Sequence, residues 1–241
     1  AQAKAKQFSE RTTQYLNNIE KAANTINKTT SRTFWAGIVS SGGSYLSSGI
    51  SDVMKYADSY TELQNRIRLV TNSQTAMVAA TESVFDISLK TNQAVGATAQ
   101  IYQRFAQNAD RLNLSQLQVS ELTETVAKSV AISGASAGAA EAALMQFGQA
   151  LGSAELRGDE LNSVIEQTPG LADAIAKGLG VTTGELKNLA KAGQLDIHTV
   201  IQALVKARDT VDNDFNKRVK TLSMSFTNLE TSITKFSGEA N

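Results

Sequence analysis

Residues 171–207 read LADAIAKGLGVTTGELKNLAKAGQLDIHTVIQALVKA. From residue 157 onwards apolar residues recur every three or four positions in short stretches, and glycine-containing breaks follow these stretches at Gly170, within 178–180 and at Gly193. Glycine adopts the left-handed conformation that ends many helices. Residues that can cap the next helix stand after these breaks: Thr182 or Thr183, and Asp196. The pattern predicts a compact group of short α-helices.

The whole composition agrees with a helical chain. Of 241 residues, 41% are hydrophobic, only 6% are aromatic, and Pro169 is the single proline. Such a chain can bury a core, and few of its residues interrupt helices. We therefore predict an all-α fold in which a compact multi-helix domain is flanked by long helices bearing heptads.

Helical spacing of apolar residues extends towards the N-terminus from this stretch. It covers residues 52–70, 76–89, 95–109 and a segment after Ser115, with Ser73 and Ser115 as predicted N-caps. Residues 133–154 are mostly small, with Gly134 and Gly138 four apart. That segment predicts tight helix packing or a glycine turn before a helix.

Both ends of the chain carry apolar residues at alternating spacings of four and three, which is typical of a heptad seam. The N-terminal seam comprises Phe8, Thr12, Tyr15, Ile19, Ala22 and Ile26. The C-terminal seam comprises Phe215, Val219, Leu222, Phe226, Leu229, Ile233 and Phe236. We expect these stripes to mediate self-association; pairing of the two seams in one chain, or ordinary packing on the domain, are alternatives.

These patterns divide the chain into three predicted parts. Residues 1–51 form a heptad helix and a Gly/Ser-rich junction, 52–208 form the compact helical domain, and 209–241 form a coiled-coil helix. The chain begins Ala1-Gln2 without an initiator methionine or a signal sequence, so we expect it to be a piece of a longer polypeptide.

Charge and cysteine content exclude several classes of function. Lys and Arg together number 23, as do Asp and Glu, so no net field attracts the chain to nucleic acid or an anionic membrane. The absence of cysteine excludes disulfides, thiolate catalysis and cysteine zinc sites. We predict no cofactor and no bound metal.

One long segment lacks charge. Residues 33–51, TFWAGIVSSGGSYLSSGIS, are long enough to span a membrane, but serine and glycine dominate them. This composition favours a small-residue helix pair or a flexible junction. Residues 34–50 remain a candidate for transient contact with a host membrane.

Few residues could support catalysis. His198 is the only histidine, so no second imidazole or thiol can join it in a site. The carboxylates Asp159, Glu160 and Glu166 are close in sequence, but the first two are placed to open a helix, where negative charge is favourable. The tripeptide at 157–159, Arg-Gly-Asp, is short enough to occur by chance. We predict that the protein is not an enzyme.

Residues 171–195 also imitate a DNA-binding helix-turn-helix. The second helix would offer only Lys187 and Lys191 as cations, with Glu185 among them, so phosphate contacts would be few. A structural helical hairpin is the preferred interpretation, and binding to nucleic acid is not expected.

Residues 60–207 closely resemble the conserved domain of phage tail tape measure proteins. The similarity is carried by SGAS at 133–136, LRGDELNSV at 156–164, Pro169-Gly170 and LGVTTGEL at 179–186. It also includes the Gly-Gln-Leu-Asp segment at 193–196, which precedes the final helix. Both heptad flanks lie outside the resemblance.

The resemblance implies a structural protein of long-tailed phages or prophages that lies in the tail tube lumen, determines tail length during assembly and leaves when DNA is ejected. Implied partners are further copies of the chain, as a trimer or hexamer, the tail tube protein, tail assembly chaperones and the baseplate or tail-tip hub. Synthesis and assembly would occur in the host cytoplasm. A helical scaffold or chaperone-like protein is the alternative, and a nucleic-acid-binding module is third.

Overall fold

The computed structural model describes residues 58–152, 166–219 and 222–239, and within these ranges the chain is all-α with no β-strand. The predicted all-α class is confirmed for this part of the chain, and the flanking long helices that bear heptads stay a prediction. Compact packing divides the chain into two units, and the larger comprises Leu63–Val219. The described parts of the other unit are residues 58–62 and 222–239.

Residues 166 and 167 are helical, and the other helices of the described ranges follow here in chain order. They are a helical segment over 58–68 (α1), Gln74–Thr91 (α2), Val95–Gln107 (α3), Ala109–Leu112 (α4), Gln116–Ile132 (α5), Ala137–Gly152 (α6), Pro169–Leu179 (α7), Thr183–Lys191 (α8), Ile197–Asn216 (α9) and Leu222–Glu239 (α10).

The predicted helix starts are confirmed by side-chain caps. The hydroxyls of Ser73, Ser115 and Thr182 and the carboxylate of Asp196 each accept a hydrogen bond from a backbone N–H in the first turn that follows. At Ser115 and Thr182 the side chain three residues later accepts from the cap's own N–H in return. Each cap contributes about 1 kcal/mol to helix stability.

Glycines end helices where the sequence predicts breaks. Gly180 has φ +73° and Gly193 has φ +66°, the left-handed conformation that glycine adopts without strain. Gly134 has φ +70° and precedes α6, which confirms the predicted glycine turn. The break predicted at Gly170 is wrong by two residues: it lies at Thr168, because Pro169 begins α7, and both Gly170 and Gly178 lie within that helix.

The larger unit is organised around α5. This helix packs against α2, α3, α6, α7 and α9, while α3 also packs on α6 and α7 on α9. Fully buried side chains from these elements form the core: Phe85, Ile101, Tyr102, Phe105, Phe147, Ile175 and Leu204. Each such side chain stabilises the fold by about 1.5–3 kcal/mol.

Two glycines in α7 allow backbones to approach closely. A Cβ at Gly178 would overlap the carbonyl group of Ala203 in α9, and one at Gly170 would overlap the carbonyl oxygen of Ser129 in α5. These contacts explain why both positions are glycine although they lie inside a helix.

The small-residue segment contains one further close approach. A Cβ at Gly148 of α6 would lie 3.3 Å from a side-chain carbon of Gln100 and 3.3 Å from one of Ile101, both in α3. The predicted tight packing of this segment is therefore confirmed at Gly148. Gly138 does not share this role, because nothing lies within 4 Å of the place where its Cβ would be.

The helix α10 buries threonine side chains, whereas the apolar spacing of its sequence predicts burial of the apolar residues. Thr227, Thr231 and Thr234 are buried, and Gly238 lies so close to Tyr60 that a Cβ would overlap its ring. The hydroxyls of Thr231 and Thr234 donate to carbonyl oxygens four residues earlier, which satisfies these buried polar groups within the helix.

The predicted boundary between the second and third parts of the chain does not coincide with the end of a helix. The helix α9 runs across residue 208, ends at Asn216, and is followed by non-helical residues 217–219, while the division into three parts stays a prediction. The apolar spacing continues through this point, so periodicity alone does not indicate the break. Contacts of Arg218, described below, accompany it.

Candidate functional site

The predicted C-terminal seam is distributed over three local environments. Phe215 lies in the last turn of α9, and Val219 lies in the non-helical stretch with 83% of its surface exposed. Phe226 is 41% exposed in α10, and Leu229 and Ile233 are partly buried there. Leu222 and Phe236 also belong to α10. The seam therefore does not follow one helix, and self-association through it stays a prediction.

Within α10 the seam and the buried threonines occupy different sides. At 100° per residue, Phe226, Leu229 and Ile233 cluster on one side, about 130° around the helix from Thr227, Thr231 and Thr234. Among the described side chains of α10, the small, polar threonines are thus more completely buried than the apolar Phe226, Leu229 and Ile233. Apolar periodicity identifies the other face.

The N-terminal seam residues Phe8, Tyr15, Ile19 and Ile26 lie outside the described residues, as do the uncharged segment 33–51 and the Arg-Gly-Asp tripeptide. None of the described helices is both long and apolar enough to cross a membrane.

A polar cluster joins three helices of the larger unit. Lys128 of α5 has only 6% of its side chain exposed, and its Nζ lies 2.7 Å from Oδ1 of Asp212 in α9. The same Nζ pairs with Glu124, one turn earlier in α5, and Glu124 also pairs with Lys90 of α2. The two carboxylates compensate the buried ammonium, so the cluster links α2, α5 and α9 electrostatically.

Lys128 and Glu124 are both charged at neutral pH. Burial alone would lower the pKa of Lys128, but hydrogen bonds to Asp212 and Glu124 outweigh it and raise that pKa. Burial alone would raise the pKa of Glu124, but hydrogen bonds from Lys128 and Lys90 lower it overall. Both groups stay charged, so the cluster is suited to holding helices together and not to proton transfer.

Arg218 forms a second contact beside this cluster. Its Nη2 donates to Oδ1 of Asn92 at 2.8 Å, and its Nη1 donates to the carbonyl oxygen of Thr91 at 3.5 Å. Its guanidinium lies 4.4 Å from the ring centroid of Phe215, and Nζ of Lys128 lies 5.7 Å from the same centroid. We call the contacts of Arg218 with Thr91, Asn92 and Phe215 the Arg218 clasp.

Sequence reasoning did not find these polar contacts. One signal was available for Lys128: it follows Glu124 by four residues and is the only charged residue in the otherwise uncharged stretch 125–140. A lone charge in such a stretch indicates either a partner or a functional group. Its second partner, Asp212, is 84 residues away and could not be identified from local spacing.

The helix-turn-helix candidate forms a hairpin of α7 and α8, as the structural interpretation predicts. Of the two cations in α8, Lys187 lies 3.6 Å from Glu166, and Lys191 is exposed. Glu185 caps the start of α8 through Thr182, where a nucleic-acid phosphate would otherwise approach. This arrangement gives α8 little positive surface for DNA.

The remaining chemical candidates do not converge. His198 is exposed at the start of α9, Glu166 pairs with Lys187, and Asp159 and Glu160 lie outside the described ranges. Among the described residues, no group of three or more His, Asp or Glu side chains is placed to hold a metal ion.

The described part of the chain is an all-α structural module. Its helices pack closely against α5, ion pairs link α2, α5 and α9, and an apolar stripe in α10 is partly exposed. The chain belongs to the tape measure protein family, whose sequence profile matches residues 51–241. No curated protein and no solved structure matches the chain. The match includes residues 209–241, which lie outside the resemblance over 60–207, so α10 is part of the family's domain. The family places the chain among the structural proteins of bacteriophage tails.

Proposed function

We propose that this chain is the folded part of a tape measure protein whose length-determining part consists of extended helices elsewhere in the same protein. The observation that carries the proposal is the packing of α5 against α2, α3, α6, α7 and α9. A segment that wraps five helices around a sixth cannot at the same time be a straight ruler.

The difference in length between the two forms is large. As one continuous helix, residues 63–219 would extend roughly 240 Å, because an α-helix rises about 1.5 Å per residue. As a compact domain of this size, they have a radius of gyration of ~15 Å and a diameter of about 40 Å. The folded domain therefore contributes little to tail length.

In this proposal the protein lies in the tail tube lumen after assembly in the host cytoplasm, and it leaves the tail when DNA is ejected. Copies associate as a trimer or hexamer through the apolar seam. The tail tube protein, tail assembly chaperones and the baseplate or tail-tip hub bind around it. The partly exposed Phe226 and the compensated charge of Lys128 favour recognition by shape and apolar contact. The role is structural and not catalytic.

The test is tail length measured by electron microscopy. Six heptads are deleted from the helical part of the parent protein outside residues 51–241, and a companion strain carries the same heptads in duplicate. A ruler predicts tails shorter or longer by roughly 60 Å, at about 1.5 Å per residue.

Unchanged tail length in both strains would contradict the ruler. The chain would then act as a helical scaffold or chaperone-like assembly protein, with tail length determined by another component. The duplication strain controls for deletions that only impair assembly, because a longer tail requires an intact protein.

A further inference from the structure

The helix α9 and the residues after it are attached to the larger unit in two different ways. Residues 197–211 are attached by apolar burial, through Ile197, Val200, Ile201, Ala203, Leu204, Ala207 and Val211. Residues 212–219 contain no buried side chain, and Val219 has 83% of its surface exposed. A helix end without burial frays readily, so this end of α9 needs contacts of another kind.

Charged side chains make these contacts, and they reach three other helices. Oδ1 of Asp212 lies 2.7 Å from Nζ of Lys128 in α5. Oδ2 of Asp214 lies 3.5 Å from Nζ of Lys177 in α7. The guanidinium of Arg218 contacts the carbonyl end of α2, where a positive charge is favourable, through the Arg218 clasp. All three contacts therefore include a charged group.

The aromatic side chain in this part of the chain is held by the same cations. Phe215 is partly buried in the last turn of α9, with the guanidinium of Arg218 4.4 Å from its ring centroid and Nζ of Lys128 5.7 Å from it. A cation over the face of a ring is attracted by the ring's quadrupole. The position of Phe215 thus depends on the charges that also hold Asp212 and the end of α2.

We propose that residues 212–219 form an electrostatic strap, which opens while the rest of the larger unit stays folded. On opening, the ion pairs with Lys128 and Lys177 and the Arg218 clasp separate. The last turns of α9 then fray back to Val211, where apolar burial begins, and the ring of Phe215 is uncovered. The strap and its partners all belong to the larger unit, so the proposal does not depend on the ruler.

Ionic strength controls the strap because salt acts on only one of the two kinds of attachment. The side chains of Asp212 and Asp214 are 38% and 34% exposed, and that of Lys177 is 45% exposed. The Debye length falls from about 10 Å at 0.1 M salt to about 3 Å at 1 M, which screens such part-exposed charges. Apolar burial over 197–211 is not screened. Salt should therefore loosen the strap and leave the preceding part of α9 in place.

The test is hydrogen exchange of backbone amides in the full chain, in sodium chloride at about 0.1 M and about 1 M. The strap is followed through amides 215–218, and amides 201–207 of the same helix are the internal reference. We expect the strap amides to exchange about fivefold faster at the higher salt concentration, while the reference amides keep their rates. Unchanged strap amides, or an equal acceleration of the reference amides, would overturn the proposal.

Two variants remove different contacts of the strap. Arg218→Ala removes the clasp and one cation over Phe215, and Asp212→Asn removes the ion pair with Lys128. At the lower salt concentration each should speed exchange of the strap amides by about tenfold, because a charge-assisted contact is lost. Salt should then accelerate exchange less than in the parent chain, since fewer charge contacts remain for it to screen.

The matched control is Lys206→Ala, which removes an exposed charge from the same helix outside the strap. Its strap amides should exchange as in the parent chain. If Arg218→Ala and Asp212→Asn behave like Lys206→Ala, the strap is wrong. The reference amides show in each variant that the larger unit is folded, and their acceleration together with the strap amides would also contradict a strap that opens by itself.

Discussion

Helices α9 and α10 follow each other in the chain but bury different kinds of side chain. In α9 the buried face is apolar and regularly spaced, with Ile197, Val200, Ile201, Leu204 and Val211 all inside. Among the side chains of α10 that the structure describes, Thr227, Thr231 and Thr234 are buried, while Phe226 is 41% exposed.

The difference shows what an apolar stripe signifies in each place. In α9 the apolar stripe is the buried face, so the core of its own domain already covers that stripe. In α10 the hydroxyls of Thr231 and Thr234 donate to carbonyl oxygens of the same helix, and Phe226 on the apolar side keeps exposed surface that a partner can cover. The stripe of α9 forms part of the core, whereas the stripe of α10 is the surface that we propose for association between copies.

The largest expected effect comes from equal truncations in the two helices. Leu204→Ala removes a fully buried side chain of α9 and should lower the free energy of unfolding by about 4 kcal/mol, because it leaves a cavity. Leu229→Ala in α10 should cost less than about 1 kcal/mol, since its side chain is partly exposed. Chemical denaturation followed by circular dichroism measures both, and equal losses would remove the distinction between the helices.

The next effect concerns the approach of α7 to α9. Gly178→Ala should destabilise the larger unit by about 3 kcal/mol, because the added methyl overlaps the backbone of Ala203. Gly138→Ala is the matched control, since its methyl would point into open space at the start of α6. It should instead stabilise the fold by about 0.5 kcal/mol. A neutral Gly178→Ala would mean that α7 and α9 are not in close contact.

A smaller effect is expected from Lys128→Met, which removes the charge that joins α5 to α9. At pH 7 it should cost about 1–2 kcal/mol, because Glu124 and Asp212 lose their buried partner but are themselves part-exposed. The lowered pKa of Glu124 means that its contribution is present above its usual titration range and is lost as pH falls through the lowered pKa.

The stability difference between the parent chain and Lys128→Met should therefore shrink as the pH is lowered from about 7 to below about 4. Unfolding curves recorded across this range measure it. The raised pKa of Lys128 acts at the other end of the pH range. Its contribution to stability is present below the usual pKa of lysine and is lost as pH rises through the raised pKa, so the difference should also shrink there. A difference that does not depend on pH would indicate lost packing and not lost charge.

The smallest effect on stability is expected from Phe226→Ser in α10. Because Phe226 is 41% exposed, the free energy of unfolding should change by less than about 1 kcal/mol, while self-association measured by sedimentation weakens. Glu230→Gln, at an exposed position of the same helix, should leave both properties unchanged. Unaltered association of Phe226→Ser would exclude the seam as the contact between copies.

Local sequence signals are sufficient for most of the fold. The predicted caps Ser73, Ser115, Thr182 and Asp196 all accept the expected hydrogen bonds, because capping depends on residues only three positions apart. Helix type follows from periodicity, and the end of α7 follows from the glycine at position 180.

Long-range contacts cannot be predicted in the same way. Arg218 and Asn92 are 126 residues apart, and Lys128 and Asp212 are 84 apart, so no local spacing indicates either pair. For this reason the end of α9, where the sequence contains no helix breaker, is not visible in the sequence. The buried threonines of α10 escape prediction because periodicity assigns burial to apolar residues.

The most direct test of the central claim is whether the larger unit stays folded inside an assembled tail. The chain contains no cysteine, so dyes can be attached at Ala79→Cys in α2 and Gln202→Cys in α9, both exposed positions. A compact domain about 40 Å across predicts efficient energy transfer between them. An extended helical form would separate the dyes by roughly 180 Å and abolish transfer, which would contradict the account.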